Sequence, residues 1–106
     1  MSYSQVRYEA HAHAATIYIT GMLEPAAATR AELAVGGVQR AVRTLRIDLR
    51  AVSHVEPDCF VRLARALSTW HRRTHAQITI AFPVHSEFPL ERRAARRRLT
   101  RGASPR

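Results

Sequence analysis

The segment Glu56-Pro57-Asp58-Cys59 brings together the residues of this chain that are best suited to chemistry: two acids, a proline and the only cysteine. It follows a stretch typical of a buried strand and precedes an amphipathic stretch, so it falls at the start of a helix. Pro57 fits the first helical position, where its missing N–H is not needed, and Asp58 places a carboxylate near the positive end of the helix dipole. The segment is therefore either a helix start alone or a site that binds a partner.

Cys59 and Asp58 each suggest a further kind of chemistry. A helix N-terminus lowers the pKa of a thiol and permits redox or metal chemistry. No histidine adjoins Cys59, although His54 precedes the segment by two residues, and we favour Cys59 as a small buried apolar residue. A phosphorylated Asp58 would need further acids to hold Mg²⁺ near the end of the first strand, and the sequence has none there.

Two histidine pairs have spacings of interest. His71 and His75 are four residues apart on one helix, a spacing that can hold a metal, but no third ligand is evident. We interpret them as exposed residues that interact favourably with the negative end of the helix. We expect His11 and His13 to share one strand face, and we interpret them as exposed too. Because the sequence also has no Gly-rich phosphate loop and no nucleophile motif, we predict a protein that is not an enzyme and binds no cofactor.

Length and hydropathy limit the class of protein. A chain of 106 residues is the usual length of one domain. Its single cysteine cannot form an intramolecular disulfide, and no opening segment resembles a secretion signal. The apolar runs are far shorter than the roughly 20 residues that span a bilayer. We therefore expect a soluble, cytoplasmic, single-domain protein that does not insert into a membrane.

The net charge of +9 is concentrated at the C-terminal end. Residues 1–86 hold ten Arg and six acids, whereas residues 87–106 hold seven Arg and two acids. We predict a last helix from Pro89 to about Leu99 with a solvated basic face, which includes Arg92, Arg93, Arg96 and Arg97. Nucleic-acid binding is the less favoured interpretation, because aromatic interleaving and a nucleic-acid motif are both missing.

The remaining pattern indicates alternating strands and helices. Residues 4–10, 15–20, 44–49 and 77–82 are typical of strands. One helix is predicted over 25–40, although Gly36-Gly37 interrupts it, and a clearer one follows Pro57, with Trp70 as a core residue. Leu33, Val38 and Val42 are predicted to face the core. The order β-β-α-β-α-β-α predicts a small α/β sandwich with a mixed four-stranded sheet and helices mainly on one face, over residues 1–99, with a disordered basic tail over 100–106.

Three segments resemble a known family. ATIYITGMLEPA is similar to the second strand of STAS domains and the Gly-x-Leu-Asp turn that follows it, TLRIDLRAVSHV to their third strand, and ITIAFP to their fourth. The helix that carries Phe60, Leu63 and Leu67 has its apolar residues where the family has them. Over roughly residues 4–99 the sequence therefore resembles a STAS domain, the fold of bacterial anti-sigma factor antagonists.

The resemblance also locates a departure from the family. In switchable members the segment after the third strand reads Asp-Ser-Ser-Gly or Asp-Ser/Thr-x-Gly, and an anti-sigma kinase phosphorylates its second hydroxyl residue. On this sequence the family Asp falls on Glu56, the first Ser on Pro57, the phosphate acceptor on Asp58 and the Gly on Cys59. None of the four is kept, so the resemblance implies the fold without the phosphorylation switch.

The resemblance implies a function in protein interaction. The expected partner is an anti-sigma factor with serine-kinase activity, or a related regulator, which controls the availability of a sigma factor. An accessory subunit of a transporter ATPase complex is the alternative, and nucleic-acid binding through the Arg-rich tail is a third. The residues predicted to contact the partner are Gly21, Glu24, Ser53, His54, Glu56, Pro57, Asp58, Cys59 and Arg62.

Overall fold

The computed structural model describes residues 4–83. The last helix predicted from Pro89 and the tail predicted over 100–106 lie outside the described residues. Among residues 4–83, no helix is both long enough and apolar enough to cross a bilayer.

Residues 4–83 form four strands and two helices in the order β-β-α-β-α-β. The strands are β1 (Gln5–His11), β2 (Ala14–Leu23), β3 (Thr44–Val55) and β4 (Gln77–Ala81), and the helices are α1 (Pro25–Gly36) and α2 (Pro57–Thr74). The strands form one sheet in the order β1-β2-β3-β4. β1 runs antiparallel to β2, whereas β3 is parallel to both β2 and β4. The predicted mixed four-stranded sheet is confirmed.

A tight turn at Ala12 and His13 joins β1 to β2. The sequence offers no Gly or Pro there, and the chain turns because Ala12 adopts a left-handed conformation with φ 56°. The carbonyl of His13 accepts the backbone N–H groups of Arg43 and Thr44 at 2.6 and 3.2 Å. The turn is therefore tied to the start of β3, and His13 does not lie on a strand face with His11.

One face of the sheet carries the hydrophobic core. The buried strand residues alternate along β2 and β3, and they form one cluster with buried residues of both helices. The helices therefore pack on this face, as predicted, and the β-branched side chains fit the pleated surface. The residues that fill the core most completely are Ile17, Ile19, Leu23, Leu45, Ile47, Leu49, Leu63 and Val35.

β3 is twice as long as the alternating stretch 44–49, and its alternation changes phase beyond Leu49. Leu45, Ile47 and Leu49 are buried at odd positions, but the next buried residue is Val52. The pairing of β2 with β3 shifts register between Tyr18 and Thr20 and again after Gly21. Each shift leaves an extra residue on β3, as in a β-bulge, and so reverses the direction of the side chains that follow. The alternation alone indicates only the first half of the strand, whereas the segment TLRIDLRAVSHV, which resembles the third strand of STAS domains, covers the whole of β3.

Asp48 lies on the opposite face of the sheet and is buried all the same, with 5% of its surface exposed. Its carboxylate accepts two kinds of hydrogen bond from Arg50. One comes from the guanidinium, with 2.8 Å between Nη2 and Oδ2, and the other from the backbone N–H at 3.0 Å. Arg46 lies at 4.0 Å. Asp48 is therefore paired with arginine residues that are its neighbours on the same strand.

α1 ends at the glycine pair. Gly37 caps the helix, and its backbone N–H lies 3.1 Å from the carbonyls of Leu33 and Ala34. Of the three residues around this interruption that were predicted to face the core, Val42 is buried and Val38 packs against the core. Leu33 is 72% exposed, so its prediction was wrong: the helix points Ala27, Ala28, Ala31 and Val35 at the sheet instead.

α2 matches its predicted pattern. It begins at Pro57, and its apolar stripe buries Cys59, Leu63, Leu67 and Trp70. His75 ends it in the left-handed conformation with φ 59° and donates its backbone N–H to the carbonyl of His71 at 2.7 Å. Trp70 is a core residue, as predicted, with 2% of its surface exposed.

Candidate functional site

Two chain segments that are 30 residues apart in sequence meet at one edge of the sheet. β2 and β3 are parallel, so the start of α1 and the start of α2 both follow the carboxyl ends of paired strands, at Leu23 and Val55. The backbone N–H of Glu56 donates to the carbonyl of Leu23 at 3.1 Å. We call residues 21–24 together with 53–62 the docking edge; it contains every residue that the sequence predicts to contact a partner.

The first segment of the docking edge is held in place by short polar contacts. Gly21 has φ 87°, a conformation that favours glycine, and its carbonyl accepts the Ser53 hydroxyl at 3.0 Å. Glu24 is the N-cap of α1, and its Oε1 accepts the backbone N–H of Ala27 at 2.9 Å. The same oxygen lies 3.1 Å from the hydroxyl of Ser4, a residue that the sequence did not single out. Glu24 is thus a structural cap as well as a member of the edge.

The second segment starts α2 without a side-chain cap. Glu56 is the N-cap residue, with φ −80° and ψ 130°, and its side chain makes no capping hydrogen bond. Its carbonyl accepts the backbone N–H groups of Cys59 and Phe60 at 3.0 and 3.1 Å, which closes the first turn. Pro57 occupies the start of the helix, as predicted.

Asp58 lies in the first turn of α2 and is exposed. Its carboxylate has no hydrogen bond or ion pair with any residue of the described range 4–83. It therefore does not cap the helix by a side-chain hydrogen bond, and its structural role is limited to its charge at the positive end of the dipole. The carboxylate is free to accept donors from outside residues 4–83.

Cys59 is a buried residue with 3% of its surface exposed. Burial raises the pKa of its thiol, and the nearby carboxylates of Glu56, Asp58 and Glu24 raise it further against a smaller opposing effect of Arg62. Burial first, and then the acids at the helix start, therefore disfavour the thiolate of Cys59. The prediction of a small buried apolar residue agrees with this geometry.

Arg62 connects the two helices at the docking edge. Its Nη2 lies 2.7 Å from Oε1 of Glu32 and 3.0 Å from the Thr29 hydroxyl, both on α1. This hydrogen bond and charge lower the pKa of the Glu32 carboxyl and raise the pKa of Arg62. Glu32 and Thr29 were not predicted as site residues, because a contact across 30 residues leaves no signal in the local pattern.

The histidines do not form a metal site within the described residues. No group of three His, Cys, Asp or Glu residues in the range 4–83 is arranged to hold a metal ion. His71 places Nδ1 2.8 Å from the carbonyl of Ala76, and its ring centre is 6.5 Å from that of His75. His54, which belongs to the docking edge, is exposed on β3.

Sequence comparisons find no relative. No protein-family model matches the chain, and no curated protein is similar to it in sequence.

Solved structures are similar in fold. An anti-sigma factor antagonist from Mycobacterium paratuberculosis aligns with a TM-score of 0.66 at 20% identity, over 97% of this chain and 84% of that one. The unphosphorylated anti-sigma factor antagonist SpoIIAA aligns with a TM-score of 0.61 at 13% identity, over 89% of this chain and 98% of that one. The antagonist STAS domain from Rhodobacter sphaeroides aligns with a TM-score of 0.55 at 17% identity, over 74% and 85%.

A larger protein contains a similar unit. Mglu aligns with a TM-score of 0.67 at 13% identity over 74% of this chain. The alignment covers 20% of Mglu, so the chain spans about a fifth of the length of that protein. At these identities the similarities concern the fold, and the fold that the sequence resemblance implied is confirmed: this chain has the fold of a STAS domain.

Proposed function

We propose that the chain is a non-enzymatic interaction module that binds an anti-sigma factor with serine-kinase activity, or a related regulator, through the docking edge. The fold shared with anti-sigma factor antagonists supports this class of function. The observation that carries the proposal is the exposed carboxylate of Asp58, which has no partner within residues 4–83 and stands at the helix start where the resemblance locates the phosphate acceptor of switchable relatives.

The docking edge has no hydroxyl in position for the phosphorylation switch. Ser53 is the only serine, threonine or tyrosine in the range 50–67, and its hydroxyl donates to the carbonyl of Gly21. Asp58 instead carries about one negative charge at all times, whereas a phosphorylated serine carries about −1.5 to −2. The module therefore binds or releases its partner without phosphorylation of this segment.

The test is calorimetric titration of the full chain with the anti-sigma factors encoded in the same genome. We expect one of them to bind wild type, and we expect Asp58→Asn to weaken binding about fivefold to tenfold, because the lost interaction involves an exposed charge. Glu9→Gln is the matched control: it removes an exposed carboxylate from β1, outside the docking edge, and leaves binding unchanged. If wild type and Asp58→Ser both bind none of them, the proposal is wrong, and co-purification with a transporter ATPase would then support the alternative.

A kinase assay tests the missing switch separately. Wild type incubated with the binding kinase and labelled ATP is expected to remain unlabelled, and Asp58→Ser restores an acceptor at the start of α2. Labelling of wild type within residues 53–62 would contradict the proposal.

A further inference from the structure

A cavity lies at the opposite end of α2 from the docking edge. Its volume is ≈ 530 Å³, and it is lined by Val38 and Arg40, which precede β3, and by Trp70, Arg73 and Thr74 in the last turns of α2. The 13 helical steps from Pro57 to Trp70 separate it from the docking edge by about 20 Å. Its size is in the range of sites that hold small organic ligands.

The two arginines of this cavity differ from Arg50 and Arg62, although the side chains of the exposed residues Arg43, Arg65 and Arg72 are likewise unpaired within residues 4–83. Arg50 and Arg62 each bind a carboxylate at 2.8 or 2.7 Å. Arg40 and Arg73 have no ion pair or hydrogen bond from their side chains to any residue between 4 and 83. Two guanidinium groups thus line one cavity without an anion from the described chain.

Trp70 supplies a second, independent observation. The residue is 2% exposed and lines the cavity, yet its indole N–H has no acceptor within the described residues. A buried indole N–H usually has a hydrogen-bond partner. No hydrogen bond joins the indole N–H to the Thr74 hydroxyl, which donates to the carbonyl of Trp70 at 2.9 Å and accepts the N–H of Ala76 at 3.3 Å.

We propose that this cavity binds a small organic phosphate. The side-chain donors of Arg40, Arg73 and Trp70 have no acceptor within residues 4–83, so the ligand must supply acceptors. Guanidinium groups bind phosphate oxygens in pairs, and two positive charges match the charge of about −1.5 to −2 on a phosphate monoester better than the single charge of a carboxylate. The carboxyl end of α2 repels an anion, but its partial charge of about −0.5 is smaller than the two positive charges of the arginines. The apolar part of the ligand contacts Val38, and the volume exceeds what a bare phosphate fills.

Trp70 is the only tryptophan in the chain, so its fluorescence reports on the cavity directly. The experiment titrates the full-length protein with phenyl phosphate, inorganic phosphate and benzoate at constant ionic strength, with sodium chloride as the reference. We expect a saturable change with phenyl phosphate, weaker binding of inorganic phosphate, and the weakest binding of benzoate.

Four variants locate the ligand. Arg40→Gln and Arg73→Gln are each expected to raise the Kd for phenyl phosphate about tenfold or more, which is the usual effect of a lost charge-assisted hydrogen bond. Arg72→Gln is the matched control, because it removes the same charge from the adjacent exposed position, which does not line the cavity. Circular dichroism checks that each variant is folded, and Arg40→Lys, which keeps the charge but not the paired donors, gives a second measurement at that position.

Three outcomes would overturn the proposal. The first is a fluorescence change with phenyl phosphate that does not saturate or equals that with chloride. The second is an Arg72→Gln variant that binds as weakly as Arg73→Gln, which would mean that net charge alone attracts the ligand. The third is benzoate binding as tightly as phenyl phosphate, which would remove the phosphate from the assignment.

Discussion

Removal of Arg50 is expected to destabilise this protein more than removal of its partner Asp48. The Asp48 side chain is 6% exposed and the Arg50 side chain is 57% exposed, so only the carboxylate depends on the pair to compensate for lost water. Arg50→Gln removes the contacts of Nε and Nη2 with the carboxylate, at 3.1 and 2.8 Å. It leaves the backbone N–H of Arg50 at 3.0 Å and Arg46 at 4.0 Å.

The magnitude follows from what remains around the carboxylate. A fully buried pair that loses one member costs about 3–5 kcal/mol. Here the backbone N–H and Arg46 still stabilise the charge, so we expect Arg50→Gln to lower the free energy of unfolding by about 2 kcal/mol, near the value of one charge-assisted hydrogen bond. Asp48→Asn releases a guanidinium that water already solvates and keeps one acceptor, so we expect about 1 kcal/mol.

Urea unfolding at pH 7, monitored by circular dichroism, measures the loss of stability in both variants. The comparison holds provided that the variants keep the wild-type dependence of the free energy of unfolding on urea concentration. Glu9→Gln is the control: it removes the exposed ion pair with Arg7, whose members are 64% and 56% exposed, and should change stability by no more than about 0.5 kcal/mol. If Asp48→Asn were as destabilising as Arg50→Gln, the reasoning from unequal burial would be refuted.

The same pair predicts a dependence on pH. The hydrogen bond from Arg50 lowers the pKa of the Asp48 carboxyl below its ordinary value of 3.8. The stabilisation is therefore complete above 3.8 and is lost as the pH falls through the lower pKa of the folded state. The difference in stability between wild type and Arg50→Gln should be largest near neutral pH and shrink in acid; a difference that grows on acidification would contradict this account.

Three further predictions concern the docking edge and α1. A double-mutant cycle with Arg62→Gln and Glu32→Gln, measured by urea unfolding, should give a coupling energy of about 0.5–1 kcal/mol, because the pair is partly exposed. A coupling energy near zero would mean that this ion pair does not join the two helices. Native Cys59 should react with a thiol reagent far more slowly than in urea, because it is buried and the pKa of its thiol is raised; equal rates would contradict its burial. Gly21→Ala should destabilise the protein by about 1–2 kcal/mol, because alanine is strained at φ 87°. Gly36→Ala should leave the stability unchanged or raise it by up to about 1 kcal/mol, because a methyl group there meets no other atom within 4 Å. Thermal unfolding that shows the same sign for both variants would refute the role given to φ.

Local patterns were sufficient to predict most elements. Phe60, Leu63 and Leu67 repeat at helical spacing and define α2, and Leu45, Ile47 and Leu49 alternate and define the first half of β3. They were insufficient where the alternation of buried and exposed residues changes phase because of the pairing between two strands. The bulges opposite Ile19 and Met22 reverse the inward direction of β3, so the residues from Arg50 to Val55 do not continue the alternation, although they continue the strand.

The candidate site divides in the same way. The sequence predicted that Asp58 stands in the first turn of a helix, because proline and an acid at that point agree with helix-start chemistry. It did not predict that Glu32 pairs with Arg62, that Ser53 binds Gly21, or that Trp70 meets Arg40 at a cavity. These contacts join residues 30 or more positions apart, and no local pattern records them.

The sequence by itself determined the strand and helix types, the core stripe of α2 and the chemistry available at Asp58, since each depends on residues within a few positions of one another. Only the tertiary structure decided which of those residues meet. Parallel pairing of β2 with β3 brings two helix starts to one edge, and the packing of α1 and α2 over one face aligns Arg62 with Glu32. The physical reason is that these pairings follow from burying one face of the sheet as a whole. The free energy of that burial is distributed over all residues of the core, so no single position determines which residues pair.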